Sequence, residues 1–431
     1  MIAFWTGIAF AARVVAWTPQ LSLDQAIEIA EANAFSLKIA DSAIAQTQEG
    51  IDEAKASGLP QVAAGATYSR FDQPPGGGGQ RPTPKESKLA ELTVSFPIDI
   101  SGNIRRGIRV ASLIEESTRL NRKAVQLELR NQVRRSFFQV LQAEELVQLA
   151  ERSLQLSRER LVNTEKAFEA GTLPKVEVLR AQTLVSLGET EVTAALNRRT
   201  LAKQTLNNVM GRAIQTAVEP VSPQESWTTE APAETLLGLA WKTRPDVLSL
   251  QLRQETLKIA REAERRGLQP SLVAGARHQR DWGDLTSTGR SNTSGTLSLS
   301  VPLLDSGITR ARVRQAVEDE KQNQIQLDQL RLGVQLQIES ALSSLNDARS
   351  RLISATRSAE LAEETLRLEE IRFREEVAIQ LEVSNAQTSL VQARTNLIQA
   401  RVDYWIAWAD LQRAIGADDL GGLARPLELP R

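Results

Sequence analysis

Cysteine is absent from all 431 residues, and histidine occurs once, at position 278. The first absence removes thiolate metal sites, cysteine nucleophiles, disulfides and an acylated N-terminal cysteine anchor. The second leaves little room for imidazole acid–base chemistry, and with only two methionines it speaks against a dedicated soft-metal relay. Neither charge is in excess: 52 basic residues face 53 acidic ones, so there is no polyanion-binding footprint and nucleic acid is not an expected partner. After residue 17 no run of 18 apolar residues occurs, which excludes a transmembrane helix. Glycine and proline are missing from residues 108–170, and residues 308–415 contain only Gly333. Unbroken, those stretches would make helices of roughly 95 and 160 Å. No catalytic residue, cofactor or metal site is expected.

What the chain does contain is a repetition. Residues 97–211 recur as residues 302–416, at a constant offset of 205. Ala181-Gln182-Thr183 returns as Ala386-Gln387-Thr388, Phe168 as Phe373, Gly102 as Gly307 and Gly211 as Gly416. In the first copy Gly171, Thr172, Leu173 and Pro174 form a turn signal. The offset places the matching turn at Glu376, Val377, Ala378 and Ile379. Each copy therefore reads as a helical hairpin, at about 103–210 and about 308–415. Val140, Val147, Leu154, Leu161 and Phe168 lie seven apart, as do Leu345, Leu352, Ala359, Leu366 and Phe373. Small residues (Ala181, Gly188, Ala195, then Ala386, Ala393, Ala400) fill the facing seam. Such a 3.5-residue period dictates left-handed supercoiling with close helix axes.

Before each hairpin the period changes to two. Val62, Ala64, Ala66 and Tyr68, then Leu92, Val94 and Phe96, alternate with polar or small residues. Leu272, Ala274 and Ala276, then Leu297, Leu299 and Val301, do the same. These runs predict strands at about 61–71, 89–97, 271–282 and 294–302, each with one apolar face. Residues 74–79 and 283–295 read as flexible connections. A shorter helix precedes each strand pair. Ser22 and Gln25 form a capping box opening the first, which runs to about residue 57, and the second begins near Pro245. The expected fold is mainly α with a small β part, a helix-strand-strand-helix-helix unit used twice. Its parts are residues 17–211, a link at 212–240, residues 241–416 and a tail at 417–431. Residues 1–16 fit an export signal, although a basic start is missing; a buried segment or a misplaced start codon is the other reading.

Four strands cannot close a barrel, yet strands of about ten residues with an apolar face suit a membrane crossing. In lipid their edges must close, so several chains would contribute to one barrel. Two chains give eight strands and a filled interior; three give twelve and a lumen. A soluble β tip on a coiled coil is the competing reading. The narrow seams, flanked on both sides by polar residues, suit helices wetted on two faces, as in a tube wall.

From residue 20 to 416 the chain resembles the TolC-like outer-membrane efflux protein family. Leu21-Ser22-Leu23, Ala26, Ala30, Asn33 and Leu59-Pro60 match its opening, and residues 240–247, with Arg244-Pro245-Asp246, match the start of its second half. The hairpin sequences around Ala181-Gln182 and Ala386-Gln387 look like its tip motif. The resemblance implies a homotrimer with a twelve-stranded outer-membrane β-barrel and a long periplasmic α-helical barrel. It also implies a channel of tripartite efflux or type I secretion, working with a periplasmic adaptor and an inner-membrane pump. Carried over by position, a periplasmic carboxylate constriction falls on Glu177 and Glu382. The second carboxylate of that constriction is replaced by Arg180 and Asn385, which puts strong cation selectivity in doubt. Phe373, with Phe168 its copy-one counterpart, and Ala378 stand where well-studied members use Tyr and Arg to tie the gate shut. The adaptor would contact residues 171–176 and 376–381. For Glu177 and Glu382 the plain alternative is a solvated first-turn acid favouring the helix dipole. For the whole chain the alternatives are a periplasmic adaptor or a structural coiled coil without a channel. His278, at the position of Tyr68, reads as an interfacial or lumen side chain.

Overall fold

The computed structural model describes residues 20–70, 86–223, 227–283, 286–375, 377, 379–418 and 421–427. The segment 1–16, the glycine-rich stretch 74–79, and Glu376 and Ala378 of the second turn lie outside the described residues. The chain begins with β1 (Gln20–Leu21), α1 (Leu23–Asn33), α2 (Phe35–Ala56), β2 (Gln61–Arg70), β3 (Glu86–Ile98), α3 (Asn103–Glu169) and α4 (Lys175–Val209). It continues with β4 (Glu219–Pro220), β5 (Trp227–Thr228), α5 (Ala233–Thr243) and α6 (Pro245–Arg265). β6 (Ser271–Gly283), β7 (Thr286–Ser300), α7 (Ile308–Arg374), α8 (Gln380–Ile415) and β8 (Arg425–Pro426) complete it. The helices α3 and α7 each have 67 residues, about 100 Å at the α-helical rise. No described helix is long and apolar enough to cross a membrane. Two compact units result: a sheet unit (residues 39–124 and 244–333) and a helical unit (up to 38, 125–243 and from 334).

In the sheet unit the four long strands pair antiparallel in the order β2-β3-β6-β7. Val62 lies opposite Val94, which lies opposite Ala276; Ala64, Leu92 and His278 form the next row on that face. Because side chains alternate, Val62, Leu92, Phe96, Leu297 and Leu299 share one face, while Gln61, Thr93, Ser95 and Ser298 share the other. The apolar face is uncovered in the chain: Leu297 is 70% exposed and Val62 65%. The helices of this unit keep the strand order. Arg122 of α3 bonds Asp41 of α2, Ser117 bonds Ser249 of α6 at 2.8 Å, and Arg261 of α6 bonds Glu320 of α7 at 3.1 Å. An aspartate closes each entry into a long helix. The Asp99 carboxylate accepts from the amides of Ile104 and Arg105, and the Asp305 carboxylate from those of Gly307 and Thr309.

The helical unit pairs each long helix with its return helix, in the order α4-α3-α8-α7. Arg158 and Lys203 bond Glu189 and Glu144 across α3 and α4; Arg401 of α8 bonds Glu145 of α3 at 3.0 Å, and Arg394 bonds Glu363 of α7 at 3.1 Å. The heptad residues Val140, Val147, Leu154, Leu345, Leu352 and Leu366 are buried. Gly188 makes the close approach expected of the small seam, since a Cβ there would stand 3.1 Å from the Leu154 side chain. The core is densest near the ends of α4 and α8. There Trp405 packs on Phe138 with ring centroids 5.2 Å apart, and buried Tyr404 donates its hydroxyl proton to the Trp227 carbonyl at 2.7 Å.

Three elements differ from the sequence reading. The first helix is interrupted at Ala34, whose extended backbone (ψ 129°) separates α1 from α2. The cause is packing: Gly211 (φ 67°) lies so close that a Cβ would be 2.8 Å from the Asn33 carbonyl oxygen. The stretch expected as a link contains α5, with Leu236 and Ala240 fully buried. β7 begins at Thr286 rather than about 294, because the ladder with β6 carries its polar start, pairing Arg290 with Asp281 and Asn292 with Gln279.

Candidate functional site at the helical turns

The α3–α4 turn is built from its sequence in a simple way. Gly171 takes a left-handed conformation (φ 76°), and the Thr172 amide and hydroxyl both donate to the Ala167 carbonyl, at 2.9 and 2.8 Å. Pro174 then opens α4 with an extended backbone suited to an N-cap. In the second copy Val377 donates to the Arg372 carbonyl at 2.9 Å, and Ile379 precedes the first residue of α8.

Glu177 and Glu382, 205 positions apart, both stand in the first turn of a return helix, where a carboxylate favours the helix dipole. Their partners differ. Glu177 accepts from Arg180 of its own helix at 2.7 Å and is 20% exposed, so its charge is answered within the chain. Glu382 is exposed and accepts from the Ile379 amide at 3.1 Å, a contact that leaves its full negative charge facing solvent. Asn385, also exposed, lies one turn further along α8. Phe168 and Phe373, heptad residues of α3 and α7, break the buried stripe: they are 42% and 36% exposed. Val176, Leu179, Val377, Ile379 and Leu381 add exposed apolar surface at the same turns.

Between the two hairpins lies a cavity of about 380 Å³, lined by Arg160, Thr164, Leu173, Glu370, Phe373 and Gln387 among others. Thr164 and Gln387 are buried polar residues in an otherwise apolar seam. Burial pulls the Arg160 guanidinium below its ordinary range, and the charge of Glu370 opposes that. The structure thus brings Phe373 and Leu173 together at one cavity and keeps Glu177 with Arg180 on a separate surface. Sequence reasoning missed Arg160, Thr164 and Glu370. Their polar character inside a heptad stretch was the available signal. Among the described residues no three His, Asp or Glu side chains are placed to hold a metal ion.

Comparison with known proteins gives a consistent answer. The sequence profile described as "Outer membrane efflux protein" matches residues 26–212 and 236–417. The chain is 24% identical to the cobalt-zinc-cadmium resistance protein CzcC of Cupriavidus metallidurans, over 78% of this chain and 76% of that one. It is 23% identical to the alkaline protease secretion protein AprF of Pseudomonas aeruginosa, over 78% of this chain and 70% of that one. Its fold is similar to a crystal structure of a membrane protein from Pseudomonas aeruginosa, with a TM-score of 0.78, 19% identity, and 92% and 90% of the two chains covered. Proteins of this kind sit in the outer membrane of Gram-negative bacteria and reach into the periplasm. With two matches that together span most of its length, the chain belongs to the outer membrane efflux protein family.

Proposed function

We propose that three copies of this chain close a twelve-stranded, lipid-facing β-barrel that continues as a periplasmic α-helical tube. In this reading the protein is a passive conduit out of the periplasm. The carrying observation is the four-stranded sheet with an exposed apolar face and two edges, β2 and β7, that have no partner strand among the described residues. An open sheet of that kind has no stable place in lipid until its edges meet. Three sheets supply twelve strands, enough for a lumen. The matching lengths of α3 and α7, and the left-handed glycines Gly102 and Gly307, Gly211 and Gly416, support a duplicated unit that gives each chain two similar segments of the wall.

The helical turns form the periplasmic gate, and a small change in coiled-coil twist opens it when an adaptor docks. An inner-membrane pump completes the assembly. The exposed apolar residues of the turns support the docking role, with contacts from Gly171, Thr172, Leu173 and Pro174 and from Glu376, Val377, Ala378 and Ile379. At the constriction Glu382 carries the net negative charge, because Arg180 answers Glu177. The names of the two relatives point to different cargoes, metal ions for one and a protease for the other, so cargo choice is assigned to the pump.

Single-channel recording in planar bilayers tests this reading. The wild type is expected to conduct with modest cation preference, and Glu382→Lys to shift the reversal potential toward anions. Unchanged selectivity removes Glu382 from the constriction, and an absence of conductance removes the channel.

A further inference from the structure

Where β3 passes into α3 and α6 into β6, the sheet unit holds a cavity of about 650 Å³. Six cationic side chains line it (Arg105, Arg106, Arg109, Lys258, Arg261 and Arg266) against two carboxylates, Glu255 and Glu262. Part of that charge is answered locally: Arg109 stands 2.9 Å from Glu255, Arg261 3.1 Å from Glu320 and Arg105 3.7 Å from Asp99. The rest is not. Among the described residues Arg106, Lys258 and Arg266 have no carboxylate in contact. Arg106 donates to the Ser101 carbonyl and the Asn103 side chain, both at 2.7 Å, and Arg266 reaches that same carbonyl at 3.4 Å. The Nε–H groups of Arg106 and Arg261 are buried without an acceptor among the described residues. A concave site with surplus positive charge fits an anion with several oxygen acceptors.

Position narrows the anion. The cavity starts at Ile100, two residues beyond the end of β3, a strand that contributes to the apolar sheet face. Arg109 lies about 10 Å further down α3 at the helical rise. A headgroup layer extends roughly 5–7 Å beyond the hydrocarbon on each side. The cavity also has apolar lining, Ile100 and Ile259, and the neighbouring helix–strand connections expose Leu59, Leu268, Leu303 and Leu304. A ligand that joins an anionic group to hydrocarbon matches both halves.

We infer that this cavity binds the phosphate-bearing headgroup of a phospholipid of the periplasmic leaflet, whose acyl chains lie along the apolar sheet face. The inference rests on the lipid-facing reading of the sheet. Three such sites per trimer would fix the depth of the barrel.

Native mass spectrometry of the full-length protein released from detergent tests it, with dioleoyl-phosphatidylglycerol, dioleoylglycerol or glycerol 3-phosphate added. The phosphatidylglycerol is expected to be retained, and the other two not. Lys258→Gln combined with Arg266→Gln is expected to weaken retention about tenfold or more, while Lys258→Arg retains it. Equal retention by the double variant and the wild type overturns the site. So does equal retention of dioleoylglycerol, which would make the binding acyl-driven. Retention of glycerol 3-phosphate as strong as that of the lipid would make it a soluble-phosphate site and overturn the lipid assignment. Bilayer conductance of the same preparations separates the two readings. Protein that conducts but holds no phosphatidylglycerol sinks this inference alone, whereas protein that does not insert sinks the lipid-facing sheet itself.

Discussion

Arg244, Pro245 and Asp246, the sequence marker of the second half, turn out to be one capping device. Arg244 is the N-cap of α6, Pro245 its first residue, and Asp246 accepts from the Arg244 guanidinium at 2.7 and 3.0 Å and from the Val247 amide at 2.9 Å. Burial pushes the Asp246 carboxyl up, but Arg244 and the amide outweigh it and hold it below the ordinary aspartate range. A folded-state pKa lower than the unfolded one gives stability that is whole above the unfolded value and is lost as pH falls from there through the folded value. Asp246→Asn is therefore expected to lower the melting temperature at neutral pH, with the gap to wild type narrowing progressively as pH falls below about 4. A gap constant across a thermal-denaturation pH series would detach Asp246 from that role. Two glycines make a second contrast. Gly211 (φ 67°) has Asn33 backbone 2.8 Å from where a Cβ would sit, while Gly171 (φ 76°) has open space. Gly211→Ala adds a clash to the left-handed strain and should cost about 2–3 kcal/mol, Gly171→Ala about 1 kcal/mol, both read from melting in detergent. The sequence marks Gly171 as a turn residue and Gly211 only as a position repeated at Gly416. Which one is also a packing contact depends on Asn33, 178 positions away in the chain, and no local pattern carries that.

At the scale of elements, the strands and long helices were legible because their periods are different and each is sustained. The alternation of Leu92, Val94 and Phe96 survives as a face of the sheet, and the heptads of α3 and α7 survive as a buried stripe that opens at Phe168 and Phe373 near the turns. What escaped were features decided by a neighbour. The kink at Ala34, the helix α5 and the early start of β7 each follow from packing or pairing with a distant segment. The inter-hairpin cavity escaped for the same reason, since Arg160 and Gln387 meet only when the two hairpins pack. The face assignment can be tested at mid-strand. Leu92→Arg places a charge on the apolar face and should cost about 2–4 kcal/mol of insertion, read as loss of the heat-modifiable band and of outer-membrane yield. Thr93→Arg, one residue on and on the polar face, is expected to insert normally. Equal damage from both substitutions would mean that neither face meets lipid.

For the whole molecule, the consequence of two open edges is an assembly that either closes or grows. β2 at one edge and β7 at the other are different surfaces, so in the proposed assembly contact between copies would be head-to-tail. Such contacts make a ring if the rotation closes and an open-ended ladder if it does not. Lipid allows only the ring. The absence of cysteine makes this measurable without background. One cysteine placed on β2 (Ala63→Cys) and a second walked along β7 from Thr293 to Leu299 will match register at one or two positions, because neighbouring strands bring paired residues within disulfide reach. At those positions mild oxidation in membranes is expected to give covalent species of one, two and three chains and none larger, with the three-chain product running as a closed circle that a single reduction event opens. Products that stop at two chains would set the barrel at eight strands and fill its interior with side chains, leaving no passage for cargo. A ladder extending beyond three would mean that the edges pair without closing, and the conduit could not exist in the form proposed.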